Sequence, residues 1–235
     1  RLRLSKPAPI EEEVYLGEIP IGVGGGEFIV NGAERVVVAQ LHRSPGVDFT
    51  HAPPPAAKGM YVCRIIPERG SWIEIEVTRK ESLYIRIDQS GKFPITAFLR
   101  ALSERYSTHT DLLRLFYRTE KARVEPGKPA ALAGRVAVEA VAHPETGEVI
   151  VKAGSEIGES DATAILAAGK ISAVEVLPED HDPLIVRTLA EDNTHDHQEA
   201  LLKIYARLRP GNPQQIDKAK ALFAERFQDE NRYRL

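Results

Sequence analysis

Two runs of strict alternation, WIEIEV at 72–77 and LYIRID at 83–88, constrain the fold of this chain more than any other feature. Successive side chains of a strand point to opposite faces, so Ile73, Ile75 and Val77 share one face and Trp72, Glu74 and Glu76 the other. Leu83, Ile85 and Ile87 likewise face inward, leaving Tyr84, Arg86 and Asp88 outward. The register places the indole of Trp72 on a polar face, close in sequence to Arg69 and Ser71. A large aromatic there has two readings. It packs under a loop or against a neighbouring domain, or it serves as a platform on which an unpaired base stacks, worth about 1–3 kcal/mol.

Upstream, Val36, Val37 and Val38 are β-branched and read as a strand buried on both faces, entered through the turn signal Asn31-Gly32. Pro45 and Gly46 end the pairing, because proline donates no ladder hydrogen bond. Gln40, His42, Arg43 and Ser44 are then presented at a surface, either solvated or used for binding. Arg43 offers a planar fork of donors suited to phosphates or base edges, and Gln40 both donates and accepts. The glycine-rich run Gly22–Gly26 forms a turn and not a phosphate loop, since a strand follows it instead of a helix opening with Lys-Ser/Thr. A flexible proline tract occupies His51 to Gly59.

Helices are predicted from Pro94 to Leu102 and around Thr110 to Arg118, the second with Leu112, Leu113 and Phe116 on its apolar side. A link rich in Lys, Pro and Gly spans Lys121 to Gly134. RVAVEAV and EVIVKAG flank the turn Pro144–Gly147 as a hairpin, Ser160 caps a short helix ending at Gly169, and ISAVEV resumes as a strand. Thr194 precedes a helix with Leu201, Leu202, Tyr205 and Leu208 as its core stripe, stopped at Pro210-Gly211. A last helix, Pro213 to Phe227, buries Ile216, Leu222, Phe223 and Phe227. The fold class is α+β, with a small α+β insert at 135–177.

Charge is divided unevenly. Residues 121–200 hold 7 Lys+Arg against 15 Asp+Glu, while the remainder holds 24 against 19. An acidic block is repelled by phosphates and faces solvent or a protein, whereas the flanking segments are able to approach nucleic acid. No paired carboxylates sit at a spacing that suggests acid/base work, so no catalytic residue is assigned. His195, Asp196 and His197, with His181 and Asp182 upstream, lack an HExxH or CxxC frame, and Asp196 suits a helix N-terminus better than a metal; no metal ligand is assigned. The single Cys63 has no partner for an internal disulfide, which suits a reducing cytoplasm. No apolar run has membrane-spanning length. The chain opens on Arg1 and its one methionine is Met60, so a piece of a longer protein is expected.

The stretch NGAERVVVAQLHRSPGV (31–47) resembles a block of the beta-subunit family of bacterial DNA-directed RNA polymerases. The resemblance continues in order through VYLGEIPI (14–21), RIIPERGSWIEIE (64–76), LYIRID (83–88), KFPITAFLRAL (92–102) and IYARLRPGNP (204–213), bracketing nearly the whole chain. It implies a partial protrusion domain and connection at 1–42, the first part of a lobe domain at 43–134, the insert at 135–177 and the helical end of the lobe at 178–235. It implies DNA contact without catalysis. Trp72 would stack on a non-template base at the downstream edge of the transcription bubble, and Arg43 would help form the adjoining pocket for a guanine. Arg64, Arg69, Arg86 and Lys92 are candidates for phosphate contacts. Gln40, Val38 and Arg35 would lie at the edge of the rifampicin pocket. The implied partners are the beta-prime, alpha, omega and sigma subunits and the non-template DNA strand, with the catalytic magnesium on beta-prime, no cofactor here, no membrane, and a location in the cytoplasm at the nucleoid. A second reading makes the acidic insert a docking module for a transcription regulator. The chain departs from the family pattern at Ala39, Asp48, Glu68 and Gln89–Gly91, and the last two departures lower local positive potential.

Overall fold

The computed structural model describes residues 2–4, 10–51, 61–125 and 127–234; most of the proline tract, 52–60, lies outside them. The chain forms two compact units, Arg1–Arg43 and Ser44–Leu235.

In the first unit, β1 (Leu2–Leu4) pairs antiparallel with β2 (Ile10–Glu12). A meander follows, made of β3 (Gly22–Val23), β4 (Glu27–Val30) and β5 (Ala33–Val36). The β4–β5 turn falls at Asn31-Gly32, both with positive φ (54° and 74°), the backbone a tight hairpin needs. Val36–Val38 are not the doubly buried strand that their β-branching predicts. Only Val36 belongs to a strand, and Val36, Val37 and Val38 are 66%, 80% and 78% exposed. β5 pairs with β4 alone, and none of residues 12–43 is buried, so no second layer of described residues covers this sheet.

The second unit is built on a five-stranded antiparallel meander of β6 (Gly46–His51), β7 (Tyr61–Ile66), β8 (Ile73–Val77), β9 (Leu83–Ile87) and β10 (Phe93–Pro94). Its two faces differ as the alternation predicts. Ile73, Ile85 and Ile87 are buried on the inner face. The outer face carries cross-strand charge pairs: Arg64 opposite Glu74, and Glu74 opposite Arg86.

Pro94 runs directly into α1 (Ile95–Leu102), whose Ile95, Ala97, Phe98 and Ala101 lie on the inner face of the sheet. α2 (His109–Phe116) starts one residue before the predicted Thr110, because Thr108 and Asp111 form a reciprocal cap. Leu112 and Leu113 are buried, but Phe116 is 46% exposed and not part of the apolar face.

The stretch read as a link instead begins with β11 (Glu120–Arg123), and Leu132 enters the core of the small subdomain that follows. That subdomain holds the hairpin β12 (Val141–Ala142) and β13 (Val149–Val151), then α3 (Glu159–Ala167) and β14 (Ala173–Val176), the last paired with β11. Gly158, not Ser160, is the cap of α3, and its N–H donates to Asp161.

Three helices complete the unit: α4 (Leu184–Glu191), α5 (His197–Leu208) and α6 (Ile216–Phe227). Asp196 caps α5 by accepting from Glu199 N, while Thr194 is buried and bonded to Asp192. Ala200, Leu201, Ile204, Tyr205, Ala219 and Phe223 close the main core against the sheet and α1. Leu201, Ile204 and Phe223 each contribute about 1.5–3 kcal/mol by their burial. The aromatic series Phe98, Phe223, Phe227 and Tyr233, with neighbouring ring centroids 5.0–5.9 Å apart, runs from this core to the C-terminal tail.

Beneath α1 lies a buried ionic cluster. Arg100 and Asp192 are fully buried, with Arg100 Nε 3.6 Å from the Asp192 carboxylate. Thr96, Thr194 and Lys203 all donate to that carboxylate. Arg100 also donates to His109 Nδ1 at 3.3 Å, and His109 stacks on His195 with centroids 6.3 Å apart. His197, at the start of α5, has its Nδ1 2.6 Å from the Arg100 carbonyl.

Candidate nucleic-acid interface

The turn joining β7 to β8 carries the sequence Arg69-Gly70-Ser71-Trp72. Gly70 has φ +127°, a conformation that L side chains rarely adopt. The C-terminal tail lies against it. Glu68 N and Arg69 N donate to the Arg234 carbonyl at 2.7 and 3.3 Å, and Arg234 N donates to the Arg69 carbonyl at 2.8 Å. The Arg69 guanidinium adds a bond to the Asn231 carbonyl at 3.1 Å. A Cβ on Gly70 would stand 2.6 Å from Tyr233 Cδ2, so the absent side chain is what lets tail and turn meet.

Trp72 is held by its backbone and left open at its ring. Its N–H donates to Asp88 Oδ1 at 2.9 Å, and Asp88 N donates to the Trp72 carbonyl at 2.8 Å. Asp88 adopts φ 50° to make this possible, in the turn after β9. The Trp72 side of the strand is thereby fixed while the residue keeps 42% of its surface exposed. A half-exposed tryptophan on a fixed stretch of backbone offers a stacking surface.

Cations gather at the Gly70-Ser71 turn from distant parts of the sequence. Arg226, in the last turn of α6, donates to Ser71 Oγ at 3.2 Å and stands 3.6 Å from Asp88. Arg209 and Arg232 share a 260 Å³ cavity with Gly70, Ser71 and Arg226. Sequence reasoning missed Arg209, Arg226, Arg232 and Arg234. Their only signal was a density of arginine in the last 30 residues, in RPGNP, AERF and NRYRL.

Of the candidates for DNA contact, Arg69 and Trp72 share this turn. Arg64 pairs with Glu74 at 2.8 Å, and Lys92 pairs with Glu76, so both charges are met on the outer face of the sheet. Arg86 lies on the same face, with its Nε buried and without a hydrogen-bond partner among the described residues. Arg43, Gln40, Val38 and Arg35 belong to the first unit. Arg35 lies in β5 and is exposed, Val38 and Gln40 follow the strand in the open, and the Arg43 carbonyl is 2.9 Å from His42 Nδ1.

Cys63 is half-buried in β7, where burial and the nearby Asp48 raise its thiol above the ordinary value and leave it a poor nucleophile. No described helix is long and apolar enough to cross a membrane.

No family model matches the chain. It is 54% identical over 240 aligned residues, covering 100% of the chain, to the DNA-directed RNA polymerase subunit beta of Rhodopirellula baltica. Over 217 residues and 90% of the chain it is 39% identical to the protein of the same name from Leptospira biflexa serovar Patoc. The chain spans only 19% and 17% of the length of these relatives.

Proposed function

We propose that this chain, whose sequence matches a segment of the beta subunit of bacterial DNA-directed RNA polymerase, lines the downstream DNA channel and holds the non-template strand there. Trp72 is the platform on which a non-template base stacks at the downstream edge of the transcription bubble. The observation that carries this reading is the combination at Trp72: a backbone clamped on both sides by Asp88 and a half-exposed residue, in a turn that also holds Arg69 and is met by Arg226 through Ser71. Stacking supplies affinity without demanding one base, and the arginines supply the charge that single strands require.

In this role the chain contributes no group to phosphodiester formation, and the magnesium-binding residues of the assembled nucleotidyltransferase lie on the beta-prime subunit. Arg43 forms part of a guanine pocket, and Gln40, Val38 and Arg35 border the rifampicin pocket. The alpha, omega and sigma subunits complete the enzyme around it.

The test is Trp72→Ala in the whole polymerase, with permanganate footprinting of thymines at the downstream bubble edge. The non-template thymine should gain reactivity several-fold, in keeping with loss of about 1–3 kcal/mol of stacking, while Trp72→Phe should retain most of the protection. An unchanged footprint in the alanine variant would sink the reading.

A further inference from the structure

The cavity beside Trp72 has the makings of an anion site. Its walls come from three places: the Gly70-Ser71 turn, α6 with Leu222, Glu225 and Arg226, and the peptide just past α5 with Arg209; Arg232 of the tail completes it. Three guanidiniums therefore meet in 260 Å³. Two carboxylates oppose them, Glu225 paired with Arg232 and Asp88 3.6 Å from Arg226. Arg209 is left over. No described carboxylate lies within ion-pair distance of it, and its backbone is fixed at the end of α5 by a 2.8 Å bond to the Tyr205 carbonyl. Arg226, by contrast, is oriented by Ser71 and Asp88 on the same turn that ends in the Trp72 ring.

A cation without a counter-ion among the described residues, sharing a cavity with a second one pinned in place, suits a ligand that is small, singly anionic and rich in acceptors. A phosphodiester fits that description, because guanidinium forks match its paired oxygens. We propose that this pocket binds one backbone phosphate of the non-template strand, with Arg209 supplying the charge it lacks and Arg226 fixing its orientation. The proposal rests on Trp72 being the stacking platform: the base on the ring and the phosphate in the pocket would belong to neighbouring nucleotides of one strand.

The experiment uses the whole polymerase on a bubble scaffold in which single phosphates are replaced by uncharged methylphosphonates, one linkage at a time, in either strand. The wild-type enzyme should lose roughly tenfold in affinity at one non-template linkage within a nucleotide or two of the Trp72-protected base, the weight of a charge-assisted contact. Arg209→Ala should bind unmodified DNA more weakly, show no further loss at that linkage, and have a salt dependence shallower by about 0.7 in log–log slope. Arg209→Lys should restore most of that slope. Lys170→Ala, which removes an exposed charge in the small subdomain, should leave the linkage pattern as in wild type. The proposal is overturned if Arg209→Ala keeps the wild-type penalty, if no linkage is sensitive in wild type, or if the sensitive linkage lies in the template strand. A linkage effect that follows Arg209 while Trp72→Ala leaves the footprint unchanged would retain the phosphate pocket and reject the stacking platform. The reverse result would do the opposite.

Discussion

Replacing Asp192 by alanine is expected to lower the unfolding free energy of the chain by about 3–5 kcal/mol, the usual loss when one member of a buried ion pair is removed. The carboxylate is fully buried and accepts four hydrogen bonds. One oxygen accepts from Thr96 Oγ1 at 2.6 Å; the other accepts from Thr194 N at 3.0 Å, Thr194 Oγ1 at 2.8 Å and Lys203 Nζ at 3.1 Å. Without it Arg100, itself fully buried, keeps its charge and loses its ion-pair partner, with only the more distant Asp196 and Asp111 left to offset it. Asp192→Asn retains part of the hydrogen bonding and should cost less. Urea denaturation followed by far-ultraviolet circular dichroism measures both, and a loss under about 1 kcal/mol for the alanine variant would mean that the cluster relaxes or admits water.

The same cluster gives stability a defined dependence on pH. Burial alone would raise the Asp192 pKa, but the bonds from Thr96 and Thr194 and the Lys203 charge outweigh it and hold it below the ordinary value. Its contribution is therefore complete above the unfolded pKa, near 4, and is lost as pH falls through the lower folded value. His109 is depressed too, by burial first and then by Arg100 and His195, and it accepts from Arg100 as a neutral ring. The unfolded chain takes up that proton more readily, so the His109 share is present above about pH 6.5 and declines below it. Both act in one direction, and the alanine variant should lose the steeper fall below pH 4.

Gly70→Ala is expected to cost about 1–3 kcal/mol through backbone strain at φ +127°, and it should also dislodge the tail. The new Cβ would meet Tyr233 at 2.6 Å and the Arg232 carbonyl at 3.2 Å, so the Arg69–Arg234 strand bridge has to open. Trp72 is the chain's one tryptophan, which makes its fluorescence a report on this turn alone. Acrylamide should quench it more strongly in the variant than in the wild type. Equal quenching and an unchanged unfolding midpoint would show that the turn accommodates a methyl group and that the tail does not depend on the glycine.

Much of the second unit was legible because alternation of period two reports directly on which side chains face a core. Ile73, Ile85 and Ile87 are buried as that pattern demands, and it also placed Trp72 outward. Val36–Val38 misled because β-branching expresses a preference for extended backbone and is silent about whether a second layer exists to cover the strand. The cap of α3 at Gly158 was missed by two residues for a related reason: Ser160 has the right chemistry, and local geometry decides which residue is used, whereas Asp196 stands at the N-terminus of α5 as its charge predicted. Around Trp72 the loss was greater. Arg69 meets Asn231 across 162 residues, and no local pattern announces that the tail returns to the turn. The pairing of Arg64 and Lys92 with Glu74 and Glu76 was equally hidden, because it depends on strand register.

The claim that Trp72 carries a non-template base is tested most directly by photocrosslinking. A bubble scaffold would hold 5-iododeoxyuridine at single non-template positions around the downstream edge, bound to the whole polymerase and irradiated at long wavelength, where crosslinking favours a stacked aromatic partner. The account predicts one efficient position, with the crosslinked peptide containing Trp72 and the adduct absent from Trp72→Ala. An adduct mapped to another part of the enzyme at every position, with none on the peptide carrying Trp72, would contradict it.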